Sequence, residues 1–280
     1  MKLKNILTTL GMAASVLAMA VLLQGKQVSV KGSDTMLPIN QRWSEEFAKR
    51  GGNVAVTGGG SSIGINSFIN GVTDICASSR PIRKSEIDRA RSRGAVAVET
   101  PVALDGLAIA VNSSNPLTSI ALDDVRKIYI GQITNWSELG GPNAPIVVIS
   151  RDPNSGTYGF FQQNVLRNQN WGKSVRFLPS TSEEVREVSR TDNAIAYGGV
   201  AYFKGKRDVK ILPVSLTKGG PGIAPTEDNV RSKKYPIWRY LYYYTNGNPT
   251  GETKKFIDFV LSNAGQKIVE EVGYYSLKQL

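Results

Sequence analysis

The chain has 280 residues, 41% hydrophobic and 20% charged, which is typical of a globular protein and excludes disorder, collagen and coiled coil. It contains no histidine and a single cysteine, Cys76. Ser-His-Asp or Cys-His catalysis, histidine-ligated zinc or haem, and internal disulfides are therefore excluded. The formal net charge of +11 favours anionic partners but does not choose among phosphate, nucleic acid and anionic lipid.

The N-terminal segment has the layout of an export signal. Lys2 and Lys4 precede an uncharged stretch, residues 6–23, that is nearly free of polar residues and contains the small-x-small pattern Ala18-Met19-Ala20. This layout predicts that residues 1–20 are a secretory signal peptide, cleaved after Ala20. The stretch also has about the minimum length of a membrane span, so an uncleaved anchor is the alternative.

A bacterial lipoprotein box begins after this pattern but is incomplete. Leu22-Leu23-Gln24-Gly25 matches its start, and Lys26 stands where the lipid-bearing cysteine would be. We therefore expect an exported protein that is not a lipoprotein, in the periplasm or at the outer face of the cytoplasmic membrane.

Short apolar runs alternate with helical patterns in the first part of the exported chain. An apolar residue recurs every four positions from Ile39 to Phe47, which predicts a helix with one apolar stripe. Further helices are predicted around residues 65–69 and over 85–93, the latter capped by Ser85. The predicted strands are 28–30, 54–56, 74–77, 96–102 and 107–111. This βαβα order predicts an α/β protein with a mostly parallel sheet covered by helices.

A second unit begins near Asn112, and its pattern is similar. Helical spacing predicts helices over 122–130 and 160–166, and one long amphipathic helix over 254–272. The Gly/Pro-rich run 218–225 is predicted to be a loop. The predicted strands are 146–149, 195–199, 211–214 and 240–244.

Four junctions between a predicted strand and the segment after it are rich in Gly, Ser and Thr: residues 32–36, 58–62, 78–81 and 151–157. Any one of them is also typical of an ordinary helix cap or turn. In an open parallel sheet, however, such loops gather outside the carboxyl ends of the strands. Backbone N–H groups at helix starts attract anions, and hydroxyls add donors. Together, the four loops predict a site for a small oxyanion.

Arg151 strengthens this prediction because it follows a strand and precedes Ser155 by four residues. Its planar guanidinium can hold two oxygens of a tetrahedral anion. The alternative is a surface ion pair with Asp152 or another acid.

With these motifs in this order and spacing, the chain resembles the phosphate-binding proteins of bacterial ABC transporters over nearly its whole length after the signal segment. The motifs are Gly32-Ser33-Asp34-Thr35-Met36, Gly58-Gly59-Gly60-Ser61-Ser62, Asp74-Ile75-Cys76-Ala77-Ser78-Ser79-Arg80 and Arg151-x-x-x-Ser155-Gly156-Thr157.

The resemblance implies a two-lobed fold like that of the periplasmic binding proteins. Each lobe would be a mostly parallel sheet flanked by helices, with the ligand in the cleft between them. We expect residues 27–106 plus 240–280 in the first lobe and 107–239 in the second. The crossing strands would lie near 105–111 and 240–244, and the lobes would close by a hinge motion.

The resemblance also implies a function and a site. The protein would be a monomeric receptor that binds inorganic phosphate and delivers it to the membrane permease of an ABC transporter. We expect no catalytic residue, cofactor, metal or nucleic-acid partner. The expected phosphate-binding residues are Thr35, the backbone of Met36, Ser61, Ser79, Arg151, Ser155, Gly156 and Thr157, with Ser33, Ser62 and Arg80 as further candidates.

Ser79 departs from the family pattern, since many members have an aspartate at this position. That carboxylate accepts a hydrogen bond from protonated phosphate and repels sulfate, whereas serine repels nothing. Asp34 or Asp74 is a candidate for the missing acceptor, although neither matches by position. Arg80 either adds positive charge to the site or pairs with a neighbouring acid.

Two other functions remain open. The Ser79 departure leaves room for a receptor of sulfate, molybdate or arsenate. A phosphate-ester hydrolase would use the same oxyanion loops. The Gly60-Ser61-Ser62-Ile63-Gly64 run matches a hydrolase pattern, but without any histidine its serine lacks the usual base.

Overall fold

The computed structural model describes residues 26–277, so the predicted signal peptide lies outside the described residues. The strands are β1 Val28–Gly32, β2 Val54–Thr57, β3 Ile75–Ser78, β4 Ala97–Asn112, β5 Ile120–Ala121, β6 Val147–Arg151, β7 Arg176–Leu178, β8 Ala194–Gly199, β9 Val209–Leu212, β10 Val214–Ser215 and β11 Trp238–Asn246. The α-helices are α1 Leu37–Ala48, α2 Ser61–Ile69, α3 Lys84–Ser92, α4 Leu122–Tyr129, α5 Gly156–Asn164, α6 Thr181–Arg190, α7 Val200–Phe203, α8 Glu227–Arg231, α9 Gly251–Leu261 and α10 Asn263–Val272. Two short 3-10 turns lie at Asp34–Met36 and Trp136–Leu139.

A mixed sheet runs through the described part of the chain in the order β2-β1-β3-β11-β4-β8-β6-β7, with β9 also paired to β4. The strands β1, β2 and β3 are parallel to one another, and so are β6, β7 and β8. Two parallel groups are thus joined by antiparallel strands in the middle. Parallel strands buried on both faces by helices account for the apolar runs that alternate with helical patterns in the sequence.

The strand β4 joins the two groups. Its first part pairs with β11 as far as Gly106, and its second part pairs with β8 from Leu107 and with β9 from Ile109. The pairing with β11 shifts register between Leu241 and Tyr242, and Tyr242 faces Pro101. A bulge suits this place because proline has no N–H to donate to the ladder. The two extended segments predicted at 96–102 and 107–111 are therefore one continuous strand.

Helices cover the sheet and bury its apolar residues. Helix α1 buries the stripe that its sequence predicts, Ile39, Trp43 and Phe47. Trp43 packs edge-on against Tyr243 of β11 at 5.9 Å between ring centroids, and its indole donates to the Gly265 carbonyl of α10 at 2.8 Å. Among residues 26–277, no helix combines the length and the apolar character that crossing a membrane requires.

Two of the predicted helices differ from the structure, and one further helix was missed. Residues 254–272 form two helices, because Ser262 ends α9 and caps α10 by accepting from Gly265 N at 3.3 Å. Helix α3 begins one residue before Ser85, and its cap is Arg83, whose N–H donates to Glu86 at 2.8 Å. Helix α6 was missed because its sequence is polar except for one narrow buried face.

Candidate functional site

The carboxyl ends of β1, β3 and β6 lead into the hydroxyl-rich loops. The parallel register places Gly32 beside Ala77, and Ser33 N donates to Ala77 O at 2.8 Å just beyond it. The first and third loops therefore leave the sheet side by side. This is the arrangement that the sheet rule predicts for residues at strand ends.

The second loop approaches the fourth so closely that only glycine fits. Gly60 has a φ of +108°, and a Cβ built on it would lie 2.5 Å from the Asn154 carbonyl oxygen. Ser62, two residues further along, donates its N–H to the same Asn154 carbonyl oxygen at 3.0 Å. A side chain at position 60 would strain the backbone and separate the two loops.

Hydroxyls from the four loops form one buried cluster. Thr35 Oγ1 lies 2.7 Å from Thr157 Oγ1, and Ser79 Oγ lies 3.4 Å from Thr157 Oγ1. Ser61 Oγ lies 3.3 Å from Ser79 Oγ and accepts from Ser79 N at 3.1 Å. All four side chains are buried. The structure thus brings together four of the predicted residues, taken from four separate loops.

The fourth loop also presents a helix start to this cluster. Ser155 caps α5, its Oγ accepting from Thr157 N at 3.1 Å and from Tyr158 N at 3.3 Å. A Cβ built on Gly156 would lie 2.1 Å from Ser61 Oγ and 2.7 Å from Ser79 Oγ. The missing side chain is what allows the start of α5 to meet the opposite loops.

Arg151 is buried next to the cluster, with 1% of its surface exposed. Its Nη1 donates to Thr181 Oγ1 at 2.7 Å and its Nη2 to the Pro179 carbonyl at 2.7 Å. Its Nη1 also lies 3.2 Å from Asp34 Oδ2. The predicted alternative of an ion pair with Asp152 or another acid is thus met in part: Arg151 pairs with another acid, Asp34, but inside the protein and not at its surface.

Three buried donors of predicted site residues have no hydrogen-bond partner among residues 26–277. They are Arg151 Nε, Ser33 Oγ and Arg80 Nε. Buried polar groups are rarely left without a partner, so each such group calls for an explanation. The expected candidate Met36 is less available, since its N–H donates to Ser33 O at 3.1 Å.

The two aspartates considered as acceptors lie in different places. Asp34 Oδ2 is beside Arg151 and accepts from Thr181 N at 3.0 Å. Asp74 instead accepts from the N–H and hydroxyl of Ser29 near the start of β1, at 2.9 and 2.8 Å. Of the two, Asp34 is the carboxylate next to the hydroxyl cluster.

Arg80 makes the ion pair that was one of its two predicted roles. Its Nη1 and Nη2 each donate to a Glu86 carboxylate oxygen at 2.8 Å. Its Nη2 also lies 3.3 Å from Ser62 Oγ, so these two further candidates lie side by side. Glu86 thus balances the positive charge of Arg80 locally, as Asp34 opposes that of Arg151 at 3.2 Å.

Sequence reasoning missed a second arginine under the site. Arg239 donates from Nη1 to the Ser79 carbonyl at 3.0 Å and from Nε to Asp105 at 2.9 Å. Both members of this ion pair are fully buried. The only available signal was a charged residue in each of two apolar strands, β11 and β4.

Sequence reasoning also missed Glu184 of α6. Its side chain is fully buried, and neither carboxylate oxygen has a hydrogen-bond partner among the described residues. Burial raises the pKa of Glu184 well above its usual value of 4.5, against the lowering effect of Arg151. Nothing in the polar sequence around Glu184 indicated this.

Residues 26–277 contain no group of three or more Cys, Asp and Glu side chains arranged to hold a metal ion. The candidate site consists of four buried hydroxyls, the backbone N–H groups at the start of α5, and Arg151 with its neighbour Asp34. Such a set supplies donors and positive charge in a buried place, which is what an oxyanion requires.

Comparison with known proteins identifies a family and several relatives of this chain. A family model described as a PBP superfamily domain matches residues 22–264. The phosphate-binding protein PstS of Borreliella burgdorferi is 33% identical over 265 residues, covering 90% of this chain and 91% of that protein. Protein SphX of Synechococcus elongatus is 34% identical over 262 residues, covering 89% of this chain and 77% of that protein.

Solved structures similar to this chain also include phosphate receptors of ABC transporters. A putative phosphate ABC transporter substrate-binding protein with bound phosphate from Clostridium perfringens superposes with a TM-score of 0.81 at 31% identity, covering 90% of this chain and all of that one. An ABC-type phosphate transport receptor from Vibrio cholerae gives a TM-score of 0.72 at 28% identity, covering 89% of this chain and 99% of that one. The predicted fold class, the two-lobed α/β fold of periplasmic binding proteins, is confirmed. The chain belongs to the PBP superfamily, and within it to the family of the phosphate-binding proteins.

Proposed function

We propose that this protein is an extracytoplasmic receptor that binds inorganic phosphate between its two lobes and delivers it to the permease of an ABC transporter. The observation that carries the proposal is the buried cluster of Thr35, Ser61, Ser79 and Thr157 hydroxyls beside Arg151. The family of the chain and the phosphate-bound relative from Clostridium perfringens support it.

The proposed site offsets the free-energy cost of burying an anion with several weak sources of positive potential. Burying an isolated anion costs a large free energy, and hydrogen bonds together with a nearby cation reduce that cost. Arg151 provides the cation, and the start of α5 provides N–H groups and the positive end of a helix dipole. Ser33 Oγ and Arg151 Nε, which have no partner in the described chain, are the donors that we assign to the anion first.

We propose the binding residues that the resemblance implies, with changed roles for Met36, Ser33 and Arg80. Thr35, Ser61, Ser79, Arg151, Ser155, Gly156 and Thr157 hold the anion, and Met36 contributes less because its N–H is already used. We propose Ser33 as a direct ligand and Arg80 as a support for the second loop, since Glu86 balances its charge.

We further propose that the lobes are 27–106 plus 240–280 and 107–239, with β4 and β11 as the crossing strands. The change of partner along β4 at Gly106 and Leu107 supports this boundary. The protein would act as a monomer, since a single chain supplies all the proposed ligands.

A second candidate function depends on how well the site distinguishes phosphate from sulfate. Ser79 carries no charge, so the carboxylate that would repel sulfate is missing at that position. This favours, as the alternative, a receptor for tetrahedral oxyanions that include sulfate, molybdate or arsenate. Asp34 is the group that we propose to restore selectivity for phosphate, because it lies beside Arg151.

Isothermal titration calorimetry tests both candidates. The protein is expressed with its complete sequence, purified, stripped of bound ligand by unfolding and refolding, and titrated with phosphate and sulfate. We expect micromolar or tighter phosphate binding, abolished in Arg151→Met and retained in the matched control Arg176→Met, whose side chain is 60% exposed on β7. No phosphate binding by the unmodified protein would overturn the proposal, and equal binding of sulfate would support the broader receptor.

A further inference from the structure

Glu184 is a buried acidic residue that is not among the proposed phosphate ligands. It lies in the first turns of α6 with no exposed surface, and both carboxylate oxygens lack a hydrogen-bond partner among residues 26–277. A buried carboxylate without partners is far more costly than a buried carboxylic acid. The carboxyl group is therefore held in its neutral form over a pH range in which an exposed glutamate is ionised.

The geometry of α6 places this carboxyl group behind Arg151. Thr181, Glu184 and Val188 form the buried face of the helix, since residues three and four apart lie on one side. Thr181 receives the hydrogen bond from Arg151 at one end of this face. Val188 packs at the other end in a cluster with Ile149, which precedes Arg151 by two residues on β6. Glu184 lies between these two contacts.

The charged groups and phenols around Glu184 come from seven elements, counting the 3-10 turn that contains Asp34, and together they have no net charge. Arg151 of β6 is opposed by Asp34, and Arg239 of β11 by Asp105 of β4. The phenols that interact with Glu184 are neutral, because burial raises the pKa of each above 10; they are Tyr129 of α4, Tyr197 of β8 and Tyr202 of α7. Two cations and two carboxylates balance, so Glu184 decides the charge of the whole group.

We propose that Glu184 is a protonation switch of the Arg151 site: as a carboxylic acid it permits an anion to bind beside Arg151, and as a carboxylate it opposes that binding. When Glu184 is neutral, Arg151 and its partners sum to zero and the helix start attracts the ligand. When it is ionised, a buried negative charge faces the incoming anion across a region of low dielectric constant, where repulsion is strong. The inference rests on the proposed function, since it concerns the same anion.

The test compares the pH dependence of phosphate affinity in matched proteins. The unmodified protein, Glu184→Gln and Glu184→Leu are titrated with inorganic phosphate from pH 6 to pH 10. Glutamine keeps the shape of the neutral acid and cannot ionise, and leucine is the second neutral variant should glutamine fail to fold. Glu187→Gln is the control, because it removes an acid from the same helix at a position that is 37% exposed and pairs with Arg176. The ionisation of phosphate changes with pH in the same way for all four proteins, so ratios of their Kd values at one pH report the effect of the substitution.

We expect the unmodified protein and Glu184→Gln to bind phosphate within about twofold of each other at pH 6. The ratio of their Kd values should then rise about tenfold or more towards pH 10, because only the unmodified protein acquires the opposing charge. Glu187→Gln should follow the unmodified protein at every pH. A ratio that stays flat while both proteins bind phosphate would overturn the switch and leave the proposed function intact. An absence of phosphate binding in all of them would overturn the proposed function, and the switch with it.

Discussion

Thr35 and Thr157 are 122 positions apart in the chain, and their hydroxyl oxygens lie 2.7 Å from each other in the interior. One belongs to the loop after β1 and the other to the first turn of α5. Each hydroxyl can donate to one partner while accepting from another. A bound oxyanion between the lobes would therefore find both donors at one place.

Replacing Thr157 with valine should weaken phosphate binding about 10- to 100-fold. Valine keeps the shape of threonine and removes the hydroxyl, and a hydrogen bond to a charged group contributes about 1.5–3 kcal/mol. Calorimetric titration with phosphate measures the change. Thr118→Val, at an exposed position, is the control and should bind like the unmodified protein. Unchanged affinity in Thr157→Val would remove this residue from the site.

Gly156→Ala should abolish phosphate binding while the protein stays folded. The added Cβ would lie 2.1 Å from Ser61 Oγ, so the two loops cannot keep their present separation. The matched control is Gly58→Ala, whose Cβ would meet its nearest atom, a methyl carbon of Leu37, at an ordinary 3.6 Å. Titration and circular dichroism of both variants give the comparison. Tight binding by Gly156→Ala would mean that the loops do not close in this way around the ligand.

Asp34→Asn should relax the selectivity between phosphate and sulfate. The variant keeps the size of the side chain and loses the negative charge beside Arg151 that opposes a fully ionised anion. We expect sulfate binding to appear or to strengthen about tenfold or more, by the loss of repulsion at short range. Competition titrations with sulfate measure it, with Asp74→Asn as the control at the other end of β1. Identical selectivity in the two variants would rule out Asp34 as the selective group.

Glu184→Gln should stabilise the protein, and more so as the pH rises. The native pKa of this carboxyl group is raised by burial above its unfolded value of about 4.5, so the unfolded chain loses the proton first. The unmodified protein therefore loses stability from about pH 4.5 upward, at up to about 1.4 kcal/mol per pH unit, until the native group ionises as well. Glutamine has no such loss. Thermal melts of both proteins from pH 4.5 to 8 should diverge with pH, whereas parallel curves would show that Glu184 is already ionised in the native state.

Much of the local structure could be predicted from the sequence. The alternation of β1, α1, β2, α2 and β3 follows from apolar periodicity and from glycine at the junctions, which are properties of neighbouring residues. The break between two helices at Ser262 was not predicted, because the apolar spacing continues on both sides and only the cap distinguishes the helices.

Less of the candidate site followed from the sequence. Both roles of Arg80 were open until the structure showed its two hydrogen bonds to Glu86. The same holds for Asp34 and Asp74, which sequence alone left as equals. Each choice depends on which distant group lies within a few ångströms, and no local pattern records that.

The sequence by itself determined that strands end in hydroxyl-rich loops and that an arginine follows one of them. These features depend on residue type and spacing along the chain. Only the tertiary structure decided that Thr35 meets Thr157, that Asp34 faces Arg151, and that the buried Glu184 has no hydrogen-bond partner in the described part of the chain. The physical reason is that strand register and the packing of α5 and α6 against the sheet bring these groups together, and burial then sets their charge.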